Sequence, residues 1–166
     1  MLFRSFRIAS AQEGKRLLDA VDFHWYPEIS AGGYRITDAG SYGNLEANLA
    51  RMQAPRSLWD PTYKENSWIG TWYSDFLPII PRTQQAIDKR YPGTKIAITE
   101  YNYGGEDNVY GGIAQADILG IFGKLGVHLA TFWKMVNHLE EAPYISAAVK
   151  LFTRSEERRV GKECRL

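Results

Sequence analysis

The sequence predicts an α/β chain of repeated strand–helix units, with parallel strands lying under helices. Three observations point there. Short apolar runs recur at 17–26, 95–100 and 127–133, and each is followed by a stretch with helical spacing. Each run ends in aromatic or carboxylate residues, which suits loops gathered over the mouth of a (β/α)8 barrel. The chain has neither a Gly-x-Gly-x-x-Gly after a strand nor a Walker lysine, which counts against an open doubly wound sheet, the competing architecture. Three repeats cannot close a barrel, so the chain reads as the last part of one: a partial (β/α)8 TIM barrel.

The elements follow in order. Residues 5–15 are expected to be helical, closed by Gly14. Residues 17–26 read as a buried strand with a polar, aromatic end, and Pro27 stops it because proline lacks the ladder N–H. Residues 28–43 are loop, and Asn44 is placed to cap a helix through Gln53. An irregular stretch carrying Trp59, Trp68 and Trp72 leads to Pro78 and Pro81, which open a helix to Tyr91 that Pro92-Gly93 ends. In the strand at 95–100, Ile96, Ala97 and Ile98 are apolar without alternation, as a sheet covered on both faces requires. Residues 101–112 are loop, 113–125 helix, 127–133 the third strand and 142–152 the last helix.

Composition narrows the function classes. A formal charge of +1 over 166 residues argues against a nucleic-acid partner held by electrostatics. No apolar stretch is long enough to span a bilayer, so no membrane role is expected. Five Trp and ten Tyr are many for a small domain, and the Trp are clustered. Cys164 is the only cysteine and cannot form an internal disulfide.

Residues 154–166 stand apart. They show no apolar periodicity and alternate blocks of charge, and Arg154 to Cys164 resembles, in order, the translation of a common short-read sequencing adapter. The segment is expected to be a non-native, disordered tail, leaving 1–153 as the fragment of the barrel domain. Without it the cysteine is lost and the formal charge turns slightly negative.

The most telling segment is Lys95-Ile96-Ala97-Ile98-Thr99-Glu100-Tyr101-Asn102-Tyr103-Gly104-Gly105. A buried strand ends on a carboxylate and opens into an aromatic, glycine-rich loop. The C-terminal ends of barrel strands carry the chemistry, and a Glu flanked by Tyr101 and Tyr103 suits a catalyst acting on a sugar. The plain alternative is a Glu that caps or salt-bridges at a strand end.

Several motifs resemble glycoside hydrolase family 44. They are His24-Trp25-Tyr26-Pro27-Glu28, the Gln53–Pro61 stretch, Ser67-Trp68-Ile69-Gly70, Pro92-Gly93-Thr94-Lys95, Ile98 to Gly105 and Gly112-Ile113-Ala114-Gln115-Ala116-Asp117. The resemblance covers residues 3–152. It implies a secreted endo-β-1,4-glucanase, with cellulose-like, xyloglucan or mixed-linkage β-glucan as substrate and no cofactor or metal. It implies a (β/α)8 barrel with an attached β-sandwich, and places the three strands as the sixth, seventh and eighth. Barrel strands 1–5 and the sandwich are then expected outside this chain.

The resemblance makes Glu100 the nucleophile. A retaining glycosidase needs two carboxyl groups about 5–5.5 Å apart, one ionised and one protonated. The family's acid/base Glu follows an Asn at the end of the fourth strand, which is absent here. Glu28, Glu106 and Glu140 are the stand-ins available, but none lies in a matching motif, so the chain alone is expected to be inactive. His24 and Tyr26 are expected to face the cleft and bond sugar hydroxyls or the nucleophile. Tyr101 or a nearby hydroxyl would hold Glu100, and Tyr103 joins the substrate-binding set. Trp68 and Trp72, four apart, would share a helix face and stack on glucose rings, with core packing as the competing explanation. Trp133 matches a family position beneath the cleaved sugar. Trp25 should turn away from the face of His24, and Trp59 reads as structural. The Glu106-Asp107-Asn108 cluster lacks EF-hand spacing and reads as a solvated loop rather than a Ca²⁺ site. Two other functions remain open: another β-1,4-glycanase, such as a xylanase or mannanase, and a non-catalytic glycan-binding relative.

Overall fold

The computed structural model describes residues 2–134 and 142–153. The tail at 154–166 and Glu140 lie outside them. Helix α1 (Leu2–Glu13) leads through Gly14 into strand β1 (Ala20–Trp25). A two-residue hairpin, β2 (Ser30–Ala31) and β3 (Tyr34–Arg35), follows, then α2 (Leu45–Gln53) and the short α3 (Trp68–Trp72). Next come α4 (Ile79–Arg90), β4 (Lys95–Tyr101), α5 (Val109–Lys124), β5 (Leu129–Phe132) and α6 (Pro143–Thr153). β1, β4 and β5 form one parallel sheet with β4 in the centre. This is the α/β repeat read from the sequence.

The helix starts follow from local chemistry. Asn44 Oδ1 accepts the Ala47 N–H at 2.9 Å, and Asn108 Oδ1 accepts that of Gly111 at 3.1 Å. Each cap satisfies one of the four donors a helix leaves free at its N-terminus. Asn108 starts α5 four residues before the expected position, because the cap outweighs the poor helix propensity of Gly111 and Gly112.

One face of the sheet is covered. Ile96, Ile98 and Tyr101 of β4 join a core with Ile80 and Ile87 of α4 and with Ile118, Ile121 and Phe122 of α5. Tyr101 stands edge-on to Phe122, with ring centroids 5.1 Å apart. Against the expectation of cover on both faces, the described residues leave the other face open, with His24, Leu129 and Trp133 exposed there. Trp25 is buried, as alternation with His24 requires. β4 carries one residue more than either neighbour: Phe23 and His24 pair with Ile98 and Glu100, while Ala130 and Phe132 pair with Ile98 and Tyr101. Thr99 is therefore a β-bulge.

Arg51 of α2 ties the loops above the sheet together. Its guanidinium is fully buried; Nε donates to the Tyr103 carbonyl at 3.0 Å, and Nη2 to the Ile36 carbonyl at 2.6 Å and Ser41 Oγ at 2.7 Å. Asn48 Oδ1 accepts from Nη1, and the Tyr42 ring lies 5.3 Å away. Gly104 and Gly105 have φ of 70° and 67°, which favours glycine, and a Cβ on Gly105 would come within 2.9 Å of Arg51 Nε. The backbone is thus drawn onto the guanidinium. Arg51→Met should cost at least about 2 kcal/mol, because the Tyr103 carbonyl, Ser41 Oγ and Asn48 Oδ1 each lose a donor in a dry site. Arg51→Lys should not rescue it, since an ammonium cannot span the same fork. Denaturant unfolding of the full-length protein measures this, and an unchanged midpoint would refute the strut.

Candidate active site

Glu100 sits one residue before the end of β4. By regular alternation it would share the covered face with Ile96 and Ile98, but beyond the bulge it emerges on the open face. Its Oε2 lies 3.2 Å from His24 Nδ1 and accepts the Tyr26 hydroxyl at 3.1 Å. His24 is near the end of β1, and Tyr26 follows that strand, just before Pro27. About 29% of the Glu100 side chain remains accessible, so one edge of the carboxylate is free to meet a ligand. Thr99, beside it, donates its N–H and its hydroxyl to the Asp22 carboxylate at 3.1 and 2.7 Å.

The Tyr26 phenol is pushed up to about 12, first by burial, then by its hydrogen bond to Glu100 and that carboxylate's charge. It remains a donor to Glu100 throughout the neutral range. The sign is that of a raised acid. What Tyr26 contributes is complete below about 10, its ordinary value, and is lost as the pH rises through about 12.

Two expectations are corrected here. Tyr101 and Tyr103 are buried, at 2% and 3% exposure, and do not line the open face. The bulge turns Tyr101 to the helix side, where its hydroxyl accepts from Gln115 Nε2 at 2.8 Å, and burial raises its pKa. The hydroxyl that holds Glu100 belongs to Tyr26. Tyr103 lies in the core beneath the loop, and burial raises its phenol well above the ordinary value. The Glu106-Asp107-Asn108 loop is not simply solvated either. Glu106 is fully buried and accepts from Asn102 Nδ2, while Asn102 Oδ1 accepts the Gly104 N–H at 2.6 Å. This small network shapes the loop after Glu100.

The aromatic residues divide. Trp133, 52% exposed, follows β5 on the open face; its N–H donates to the Tyr101 carbonyl at 3.0 Å and its own carbonyl accepts from Asn102 at 2.6 Å. Trp68 and Trp72 occupy α3, capped by Ser67 Oγ at 2.9 Å from the Gly70 N–H, and both are exposed. Tyr73, edge-on to Trp68 at 5.7 Å, and Phe76 extend this group and were not singled out by sequence; their signal was aromatic density alone. Trp59 is half exposed, between α4 and α5. Of the stand-in carboxylates, Glu28 is held bidentate by Arg35, with Nε at 2.8 Å, and Glu106 is enclosed. Among the described residues no cluster of His, Cys, Asp and Glu is placed to hold a metal, and no helix is long and apolar enough to cross a membrane.

Comparison with known proteins identifies the relatives. No family model matches the chain. Endoglucanase A of Paenibacillus lautus is 56% identical over 144 residues, 87% of this chain and 20% of that protein. The beta-mannanase/endoglucanase A of Caldicellulosiruptor saccharolyticus is 50% identical over 155 residues, 87% of this chain and 11% of that protein. A xyloglucanase structure from Paenibacillus polymyxa, glycoside hydrolase family 44, superposes with a TM-score of 0.84 at 57% identity over 90% of this chain. The chain is homologous to glycoside hydrolase family 44. It spans about 28% of the solved family 44 chains, one of which was solved with xyloglucan.

The Tyr26–Glu100 contact can be read directly. In ¹³Cζ-tyrosine NMR of the full-length protein, Tyr26 should stay protonated near pH 10, where exposed tyrosines ionise. In Glu100→Gln its pKa should fall, without reaching the ordinary value, because burial is the larger cause. An unmoved titration would mean that the two groups do not touch.

Proposed function

We propose that this chain is part of the catalytic barrel of a retaining endo-β-1,4-glucanase, contributing strands 6–8 of a (β/α)8 fold, with Glu100 as nucleophile. One observation carries the reading: a partly accessible carboxylate at the C-terminal end of the central strand, facing away from the helices between His24 and Tyr26. The barrel supplies the reason for the open face. Among the described residues β1 and β5 each pair with β4 alone, leaving one edge of each for strands outside this chain. Coverage of only 28% of the family 44 structures agrees with strands 1–5 and a β-sandwich lying elsewhere in the protein.

The chemistry is that of a retaining glycosidase, as the resemblance to family 44 implies. Glu100 attacks the anomeric carbon as the glycosidic C–O bond breaks and the leaving oxygen takes a proton from an acid on the opposite wall. Water then attacks the glycosyl–enzyme ester, giving up a proton to the same group, now a base, and Glu100 leaves as carboxylate. The Tyr26 hydrogen bond holds Glu100 in one rotamer. Trp133 offers a flat apolar surface for the sugar beside Glu100, and Trp68 and Trp72 offer one further along the chain. The resemblance to family 44 implies an acid/base on a fourth strand outside this chain, and the Arg35 contact of Glu28 and the burial of Glu106 are consistent with that. The substrate is a β-glucan of the cellulose, xyloglucan or mixed-linkage type, and such a polymer requires the full-length enzyme to be secreted. The beta-mannanase/endoglucanase name of one relative favours a second reading, activity on mannan.

In the full-length protein Glu100→Gln should abolish turnover while leaving substrate binding nearly intact, because an amide keeps the shape but cannot attack. Early products should be β-anomers by NMR. Retained kcat above a few per cent, or early α-product, would sink the assignment.

The tryptophans should separate by kinetics. Trp133→Ala should lower kcat as well as raise KM, whereas Trp68→Ala or Trp72→Ala should mainly raise KM on long substrates. A lowered Tm with unchanged kinetics would instead make them packing residues.

A further inference from the structure

The bulge at Thr99 decides which way Glu100 points, so whatever holds the bulge holds the nucleophile. In an unbroken strand the order Ile96, Ile98, Glu100 would run along one face, the one covered by helices, with Tyr101 on the other. The opposite is found: Tyr101 packs on Phe122 and bonds Gln115, while Glu100 meets His24 and Tyr26. Both neighbouring strands register the same single extra residue in β4. Bulges in parallel sheets are rare, and beside active sites they serve to re-aim a side chain.

A bulge leaves the inserted residue without its ladder partner. Here the Asp22 carboxylate takes that place. Oδ1 accepts the Thr99 N–H at 3.1 Å and Oδ2 accepts the Thr99 hydroxyl at 2.7 Å. Asp22 lies two residues before His24 on β1, hence on the same face of the same strand. One strand therefore carries both the clamp on the bulge and a direct partner of Glu100. The residue type is also explained: Thr99 presents two donors, and only a carboxylate offers an acceptor to each, whereas an Asn amide would set its NH2 against one of them.

We propose that Asp22 is a positioning residue that, by clamping the N–H and hydroxyl of Thr99, locks the β-bulge that turns Glu100 into the catalytic cleft. The proposal rests on the assignment of Glu100 as nucleophile, and its test separates the two. The probe is a 2-deoxy-2-fluoro-β-cellobioside bearing a dinitrophenolate leaving group. The fluorine slows both chemical steps, and the reactive leaving group lets the first proceed, so the glycosyl–enzyme accumulates. In the full-length protein the trapping rate constant and the inhibitor's Kd are measured, and the labelled peptide is located by mass spectrometry.

Asp22→Ala and Asp22→Asn should still label Glu100, at a rate at least about tenfold lower, with Kd within a few fold of wild type. A small displacement of a reacting group can cost about a hundredfold in rate. Thr99→Val, which removes one of the two donors, should fall between. This split of rate from affinity is one that a merely stabilising role would not produce. If Asp22→Ala does not melt cooperatively, Asp22→Asn and Thr99→Val carry the test, since both keep the volume of the side chain they replace. Labelling of Glu100 at the wild-type rate in folded variants overturns the clamp alone. A label on another residue in the wild type overturns the Glu100 assignment and the clamp with it.

Discussion

The fully buried guanidinium of Arg51 is the constraint from which the site is built. A charge taken out of water must be met by hydrogen bonds on every side, and Arg51 meets the backbone at Tyr103 and Ile36 and the side chains of Ser41 and Asn48. Burial pulls its pKa below the ordinary value, while Tyr42 and Asp107 act the other way. Because its donors form a rigid fork, the loop after Glu100 and the loop at 36–41 are located relative to one helix. Consecutive left-handed glycines at 104 and 105 let the chain approach this closely.

Around that anchor the carboxylate is placed by two separate devices. The bulge at Thr99 selects the face, and the hydroxyl of Tyr26 and ring of His24 select the rotamer. The two act at different levels: the bulge belongs to the backbone of β4, whereas His24 and Tyr26 come from β1 and the residues just beyond it. Asn102 adds a third link, joining the end of β4 to the carbonyl of Trp133 and to Glu106. The backbone of Trp133 is thereby tied to the short stretch of chain that follows Glu100.

Much of the fold was legible in the residues. Apolar runs without alternation marked a parallel sheet, Asn44 and Gly14 marked helix ends, and a Glu closing the middle strand marked the candidate site. Family motifs placed His24, Tyr26 and Trp133 beside it, and the structure brings His24 and Tyr26 to Glu100. The faces of Tyr101 and Tyr103 were not legible. Alternation counted from Ile96 assumes an unbroken strand, and nothing in Ile98-Thr99-Glu100 announces the inserted residue. The burial of Glu106 was hidden too, because a charged residue in a loop carries no sign of what encloses it, whereas the fold buries it and brings Asn102 Nδ2 to its carboxylate.

By itself the sequence determined the order of the main strands and helices and the likeness to family 44 enzymes, because these depend on local propensity and on the residues themselves. The tertiary structure alone decided the direction of Glu100. That direction depends on the register of one strand against two others, and register is set by pairing between residues such as Phe23 and Ile98 that lie far apart in the chain. It also decided that Tyr26, rather than the adjacent Tyr101, bonds the carboxylate, since a shift of one residue exchanges the faces of every side chain beyond it.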